Sequence, residues 1–347
     1  MGLKVVMDGD SVKFVEEEDT FKFNNNPESQ GYVDPAPAVN SKGGTEMMLE
    51  GLKARANSEL LDKFQIIPSR VRKLQPKPKI LWMHDTFDDP ESQHLGDEIS
   101  RKRFKKIVFV SHYQRQLFQL YHGVKDSECL VMKNAIVPIK AHKKPRKKNG
   151  EIRLIYHTTP HRGLELLFPA FEALCKQMDN IVLDVYSGFG IYGWAEKDEP
   201  YRELFADMEA HPKVNFHGVQ SNATVRKALT KAHIFAYPNI WPETSCIALI
   251  EAMSAGCLCI HPAFAALPET AANFSWMYPY NEYVQTHVNM FANILANACH
   301  NFWEDDIQDH LVMQKQYFDK FYNWDVRAEE WNSFLAGMAE GLTKEKD

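Results

Sequence analysis

Cysteine is scarce in this chain: six in 347 residues, none at Cys-x-x-Cys or other metal-ligand spacing. That excludes a disulfide-stapled scaffold and a zinc-type domain, and the thiols read as core residues of a reducing compartment. Cys257-Leu258-Cys259 lies in an apolar, strand-like run, which fits that reading. Long apolar runs are also missing; none approaches the roughly 20 residues a membrane-spanning helix needs. Met1 to Asp8 is too short and too soon acidic for a signal peptide, and position 6 is Val6 where a myristoylation signal wants Ser or Thr. A cytoplasmic protein with no transmembrane segment is expected. Net charge is -6, so there is no general attraction to nucleic acid. The glycines after Tyr186 lack the full dinucleotide fingerprint, and no internal repeat or low-complexity tract is present.

What is present is the composition of a soluble globular protein, 44% apolar and 25% charged, on a chain too long for one growing core. Strand and helix patterns alternate. Leu3 to Val15 reads as strand material about a Gly9-Asp10 turn, and Glu16 to Asn40 as an exposed loop. Lys42-Gly43-Gly44 opens a helix, Lys79 to Met83 is a short strand ending in His84-Asp85, and Ile107 to Val110 is another. After a basic, proline-bearing linker the pattern restarts: Ile152 to Tyr156, a helix from Leu164 to Met178, Ile181 to Tyr186, Lys213 to Gly218, Ile234 to Pro238 and Leu258 to Ile260. Alternation in both halves predicts an α/β protein with two doubly wound parallel sheets. The domains are placed at residues 1–135 and 151–317, joined by a linker at 136–150 and followed by a terminal segment at 318–347.

The most informative stretch is Asn239 to Gly256. It reads as strand end, polar turn and apolar helix, with Thr244 or Ser245 as the expected N-cap and Gly256 as the stop. Glu243 and Glu251 are eight residues apart, more than two turns, so they are not a surface i,i+4 pair. One carboxylate ahead of the helix and one inside it leave the first backbone N–H groups free for an anion such as a phosphate, and carboxylates accept hydrogen bonds from hydroxyls. That combination suits a ligand joining phosphates to polyols. In the loop His157 to Gly163, Arg162 is a cation at a helix N-terminus, where it opposes the helix dipole, and so it reads as an anion ligand. Gly43 and Gly44 let a ligand approach the backbone, and His84 stands at the carboxyl end of a strand, where α/β proteins gather ligands.

Taken together, Glu243 to Glu251 with Ala252-Met253-Ser254-Ala255-Gly256, Pro268-Glu269, Val214 to Gly218 and Asn323-Trp324-Asp325 resemble the retaining GT-B glycosyltransferases of family 4 and their E-x7-E motif. Gly43-Gly44, His84-Asp85 and Asn134 fall in that family's order. The resemblance implies two Rossmann-like doubly wound domains facing across a cleft, with the nucleotide-sugar side in the C-terminal domain, the acceptor side in the N-terminal one, and a C-terminal helix crossing back. It implies transfer of a hexosyl group from a UDP-, GDP- or ADP-sugar to an acceptor hydroxyl, with retention and with no metal or other cofactor. No Asp-x-Asp run suited to holding a metal against a diphosphate is present. By that resemblance Glu251 holds the ribose, Glu243 the donor sugar, and Thr244, Ser245 and Cys246 lie near the sugar or diphosphate. Arg162 replaces the family's usual Lys as the diphosphate cation, Gly43, Gly44, His161, Gly188 and Gly218 surround the donor, and His84 contacts the sugar. The family's arginine a few residues upstream has no counterpart; His157 to Thr159 occupy its place. The acceptor is expected to be a glycan, a lipid-linked or a small molecule. Two alternatives stay open. The basic runs Arg101 to Lys106 and Lys143 to Lys148 suit glycosylation of a hydroxylated base in DNA, and the same cleft would also serve a catalytically silent sugar-nucleotide-binding scaffold.

Overall fold

A computed structural model describes residues 3–8, 11–16, 43–139 and 150–344; the proposed loop Glu16 to Asn40 and the run Lys143 to Lys148 lie almost wholly or wholly outside them. Strands β1 (Leu3–Asp8) and β2 (Ser11–Glu16) pair antiparallel as a sheet of their own, so they do not extend either parallel sheet.

The N-terminal sheet is parallel, in the order β3 (Gln65–Pro68), β4 (Lys79–Met83), β5 (Lys106–Phe109), β6 (Cys129–Val131). Helices α1 (Gly44–Arg55) and α2 (Ser58–Asp62) precede it, and α3 (Glu98–Arg101) and α4 (His112–His122) lie between its strands. Side chains alternate across a strand, and here both faces are buried. Ile80 and Trp82 of β4 join Met48 and Leu52 of α1 in one core, while Leu81 and Met83 join Leu95 and Phe118 in another.

The C-terminal sheet has six parallel strands: β7 (Ile152–Tyr156), β8 (Ile181–Val185), β9 (Val214–Phe216), β10 (Ile234–Ala236), β11 (Leu258–Ala263) and β12 (Trp276–Pro279). Its order is β12-β11-β10-β7-β8-β9, which reverses direction between β7 and β10. Helices α5 (Leu164–Cys175), α6 (Arg202–Ala210), α7 (Asn222–Leu229), α8 (Ile247–Ser254), α9 (Leu267–Ala271), α10 (Val284–Asn301) and α11 (Asp305–Phe321) connect and cover it.

The last helix, α12 (Trp324–Lys344), returns to the N-terminal domain. Asn323 starts it: its side chain accepts the Val326 N–H at 2.9 Å, an ordinary N-cap contact. Beside that cap the outgoing linker and the returning chain are bonded together, with Ile136 N–H donating to Tyr322 O at 2.7 Å and Trp324 N–H to Ile136 O at 3.2 Å. Trp331 and Leu335 then fill the same core as Ile80 and Trp82, the indoles of Trp82 and Trp331 meeting edge-on at 4.9 Å. The contact with α1 is close enough to require glycine: a Cβ on Gly51 would stand 2.1 Å from the Trp324 ring.

Trp331 is fully buried, so Trp331→Ala should lower unfolding free energy by about 3–5 kcal/mol, the scale of removing a large aromatic side chain from a core. Chemical denaturation checks this; a loss below about 1 kcal/mol would mean that α12 does not carry this core.

Candidate functional site

In open parallel sheets, loops on either side of the point where strand order reverses diverge and leave a crevice at the carboxyl ends of the strands. Here that point lies between β7 and β10. The loop after β7 supplies His157, Thr159, His161 and Arg162; the loop after β10 supplies Tyr237, Trp241 and Glu243. The two loops touch. Gly163 has φ 113°, and a Cβ there would stand 2.1 Å from the Pro238 carbonyl oxygen.

That approach brings Arg162 onto Glu243. The Arg162 guanidinium donates through Nη1 to Glu243 Oε1 and through Nε to Thr159 Oγ1 at 3.1 Å, while Tyr237 Oη donates to the same glutamate oxygen at 2.6 Å. Glu243 is 6% exposed. Burial works against the charge of Arg162, but the carboxylate beside it outweighs this and holds its pKa well above the ordinary value. Burial, then the Glu243 charge, pushes the Tyr237 phenol and the Cys246 thiol up, so both stay protonated and neutral. Burial lowers His84, His157 and His161 to about 3 each, so these imidazoles are neutral near pH 7. Arg162 is thus the fixed cation where the strand order reverses. The position upstream is no second one, since neutral His157 packs its ring 4.8 Å from that of Phe235.

Glu251 projects from α8 and is 3% exposed. Asn222 Nδ2 donates to Glu251 Oε2 at 3.2 Å, and Arg226 donates to Oε1 with one end of its guanidinium and to the linker carbonyl of Val137 with the other. Burial raises the Glu251 pKa against the opposing pull of Arg226. Asn222 and Arg226 lie four residues apart on α7, on one helix face. That spacing was the available signal for a pair that reading for carboxylates passes over.

The expected N-cap needs correction: Cys246, not Thr244 or Ser245, caps α8, and it makes no side-chain cap bond. The Thr244 hydroxyl is used elsewhere, donating to the His84 carbonyl of the N-terminal domain at 2.8 Å. Among the described residues the amides of Ser245, Cys246, Ile247 and Ala248 have no partner, so the helix start stays open to an anion.

Glu243, Arg162, Glu251, His161, Gly188, Thr244, Ser245 and Cys246 line a cleft of about 1440 Å³, and Gly43, Gly44 and His84 face them from the N-terminal domain. Gly218 does not line it; its carbonyl accepts the Ser187 N–H at 3.1 Å, and the following Val219 and Gln220 reach the cleft instead. Asn134 adds an interdomain contact to the Ser245 carbonyl at 3.4 Å. Glu269 adds a stronger one, accepting the His112 and Tyr113 amides at the start of α4, both at 3.0 Å. In the basic run Arg101 to Lys106 only Arg101 is drawn inward among the basic residues, while Lys102, Arg103 and Lys105 stay exposed. Arg101 is 6% exposed, donating to the Leu95 and His122 carbonyls at 2.8 and 2.9 Å and pairing with Glu128 at 3.2 Å.

Residues 138–296 match the model of the family described as glycosyl transferases group 1. Over 188 residues the chain is 23% identical to a phosphatidylinositol N-acetylglucosaminyltransferase subunit from Arabidopsis thaliana, the match covering 53% of this chain and 40% of that relative's length. In architecture it is similar to a glycosyltransferase from Rickettsia africae, with TM-score 0.62 at 15% identity over 85% of this chain and 80% of the other. The fold is GT-B. Another GT-B neighbour, the pneumococcal O-GlcNAc transferase GtfA in complex with UDP and GlcNAc, gives TM-score 0.60 at 12% identity over 79% of this chain and 56% of that one. The matched segment holds Arg162, Glu243, Glu251 and α7, so the family match falls on the half of the GT-B cleft that carries the charged pairs.

Gly163→Ala should disrupt this half first. The added methyl meets a backbone oxygen and the φ is unfavourable for alanine, so a loss of about 2 kcal/mol or more is expected. Thermal unfolding reads it out; unchanged stability would show that the two loops are not held in contact.

Proposed function

We propose that the protein moves a sugar from a nucleotide-sugar donor to an acceptor hydroxyl, with retention of anomeric configuration and without a metal ion. The observation that carries this reading is the Arg162–Glu243 pair at the strand-order reversal, beside the open amides at the start of α8. A leaving nucleoside diphosphate accumulates negative charge, and a cation and N–H groups already fixed in place stabilise it as it forms. Glu251, braced by Asn222 and Arg226, accepts from the ribose hydroxyls, and Glu243 from a hydroxyl of the donor sugar. Attack by the acceptor on the face the diphosphate leaves gives retention. Glu243 is not assigned as a nucleophile, because Arg162 and Tyr237 already engage Oε1. The group 1 match supports glycosyl transfer, and the neighbour bound to UDP and GlcNAc supports a UDP-sugar as the first donor to try.

DNA as acceptor is separated from this reading by measurement: Arg101 is taken up inside the N-terminal domain while Lys102, Arg103 and Lys105 stay exposed, and absence of DNA binding at low salt would remove that alternative. A silent binding scaffold is separated from an enzyme by turnover.

Thermal-shift measurements with UDP-, GDP- and ADP-sugars in the presence of EDTA test the donor half. One donor should stabilise the protein, by about 2.7 kcal/mol at 100 times its dissociation constant. Donor turnover should be lost in Glu243→Ala, and NMR of the product should show the donor's anomeric configuration. No shift with any donor, or turnover only when metal is restored, would overturn the reading.

A further inference from the structure

Between β8 and α6 the chain makes an excursion along the cleft in two short 3-10 turns, Phe189–Tyr192 and Ala195–Tyr201. Its base is braced. The Phe189 N–H donates to Asp198 Oδ1 at 2.8 Å, which closes the excursion on itself, and the Phe189 ring stacks on His161 at 5.1 Å. His161 in turn meets the Trp241 ring at right angles at 4.8 Å, and Trp241 lies 5.9 Å from the Arg162 guanidinium. The excursion is thus fixed to the two loops that carry the Arg162–Glu243 pair. Its tip reaches the other domain. A Cβ on Gly43 would stand 2.6 Å from Tyr192 Cε1, so the tyrosine ring lies on the backbone that opens α1. A Cβ on Gly44 would stand 3.0 Å from Ile247 Cδ1, at the first turn of α8, so the glycine pair is held between Tyr192 and that helix start. Arg162 belongs to the same corner: against the burial that lowers its pKa, Glu243 first and then Tyr237 and Tyr192 hold it up. Tyr237 commits its hydroxyl to Glu243, whereas among the described residues the Tyr192 hydroxyl has no hydrogen-bond partner.

We propose that Tyr192 is a specificity-determining ligand of the diphosphate: its hydroxyl donates to a phosphate oxygen beside Arg162, and its ring, lying on Gly43, fixes where that hydroxyl stands. This deepens the glycosyl-transfer reading and rests on it for the identity of the anion. A diphosphate presents more acceptor oxygens than one guanidinium and one helix start satisfy, and a phenol O–H directed at an anion is a charge-assisted donor. The N-terminal side offers no cation at this corner. The other near neighbour of the Gly43 Cβ position is the Glu46 carboxylate, with Oε2 at 2.8 Å, so the anion's charge is met from the C-terminal side. There a phenol adds a donor without adding a second buried charge that would need its own partner. The requirement for glycine at position 43 then has a cause in this chain, since a side chain there displaces the Tyr192 ring together with its hydroxyl. The stacked base of Phe189, His161 and Trp241 keeps the excursion from carrying the hydroxyl away from Arg162.

Phosphorus NMR titration of the full chain with inorganic pyrophosphate and with UDP, both in EDTA, tests this. Both anions should bind. Tyr192→Phe keeps the ring against Gly43 and removes only the hydroxyl, so it should weaken each about tenfold, the scale of one hydrogen bond to a charged group. Calorimetric titration with uridine, which carries no phosphate, should give affinities within about twofold of each other for the two proteins. Thermal unfolding confirms that the variant is folded. A ring that only packed on Gly43 would be replaced by phenylalanine without effect, so anion affinities within about twofold of the unmodified protein's would overturn the proposal. Binding of neither anion, or an equal loss for uridine, would overturn it as well. If pyrophosphate binds through Tyr192 and no nucleotide sugar binds, the anion ligand stands and glycosyl transfer alone fails. If a nucleotide sugar binds and both anions ignore the substitution, the proposal fails and donor binding stands.

Discussion

Arg162 and Glu243 are buried against each other where the C-terminal sheet reverses its strand order, and neither charge tolerates that burial without the other. Removing one partner of such a pair costs about 3–5 kcal/mol, whereas an apolar pair of the same size would hold the loops as well or better. Stability alone is therefore a poor reason for the pair to exist. What it adds is a cation of fixed orientation beside a helix start whose amides are open. The rest of the C-terminal domain serves that arrangement. Gly163 permits the loops to touch, Tyr237 takes up the same carboxylate oxygen, and burial keeps the nearby histidines neutral, so that Arg162 sets the local charge.

The N-terminal domain depends on a different constraint. Its four strands bury both faces, and one of those faces is covered largely by residues from the far end of the chain. Trp331 and Leu335 reach it only because Asn323 breaks the helical run and restarts it in a new direction, beside the linker at Ile136. The same neighbourhood is tied to the C-terminal wall of the cleft: Arg226 spans Glu251 and the Val137 carbonyl. Glu251 is thus linked through one guanidinium to the segment that joins the two domains. Thr244 and Glu269 bond backbone groups of the N-terminal domain, which ties the two domains to each other.

Much of this was legible in the residues. Strand and helix alternation with period-2 and period-3.6 patterns marked both sheets, because buried strands and amphipathic helices are local properties. The eight-residue spacing of Glu243 and Glu251, and a cation placed against a helix dipole at Arg162, singled out those three for a physical reason. What was not legible depends on tertiary contact. Thr244 is a good N-cap in isolation, but the helix begins only at Ile247, and the Thr244 hydroxyl instead meets the His84 carbonyl, 160 residues away in sequence. The run Arg101 to Lys106 reads as uniformly basic surface, yet Arg101 alone turns inward onto the Leu95 and His122 carbonyls. Arg226 carries only the weak signal of its i,i+4 spacing from Asn222, since an arginine on an ordinary helix is usually solvated; the carboxylate it meets gives it meaning.

The role given to Arg162 is tested most directly by calorimetric titration of a nucleoside diphosphate and of its parent nucleoside. The comparison is between the unmodified protein and the paired variant Arg162→Met, Glu243→Gln, which leaves no lone buried charge. If Arg162 holds the phosphates, affinity for the diphosphate falls about tenfold or more while that for the nucleoside stays within about twofold. Equal losses for both ligands, or none for the diphosphate, would contradict it.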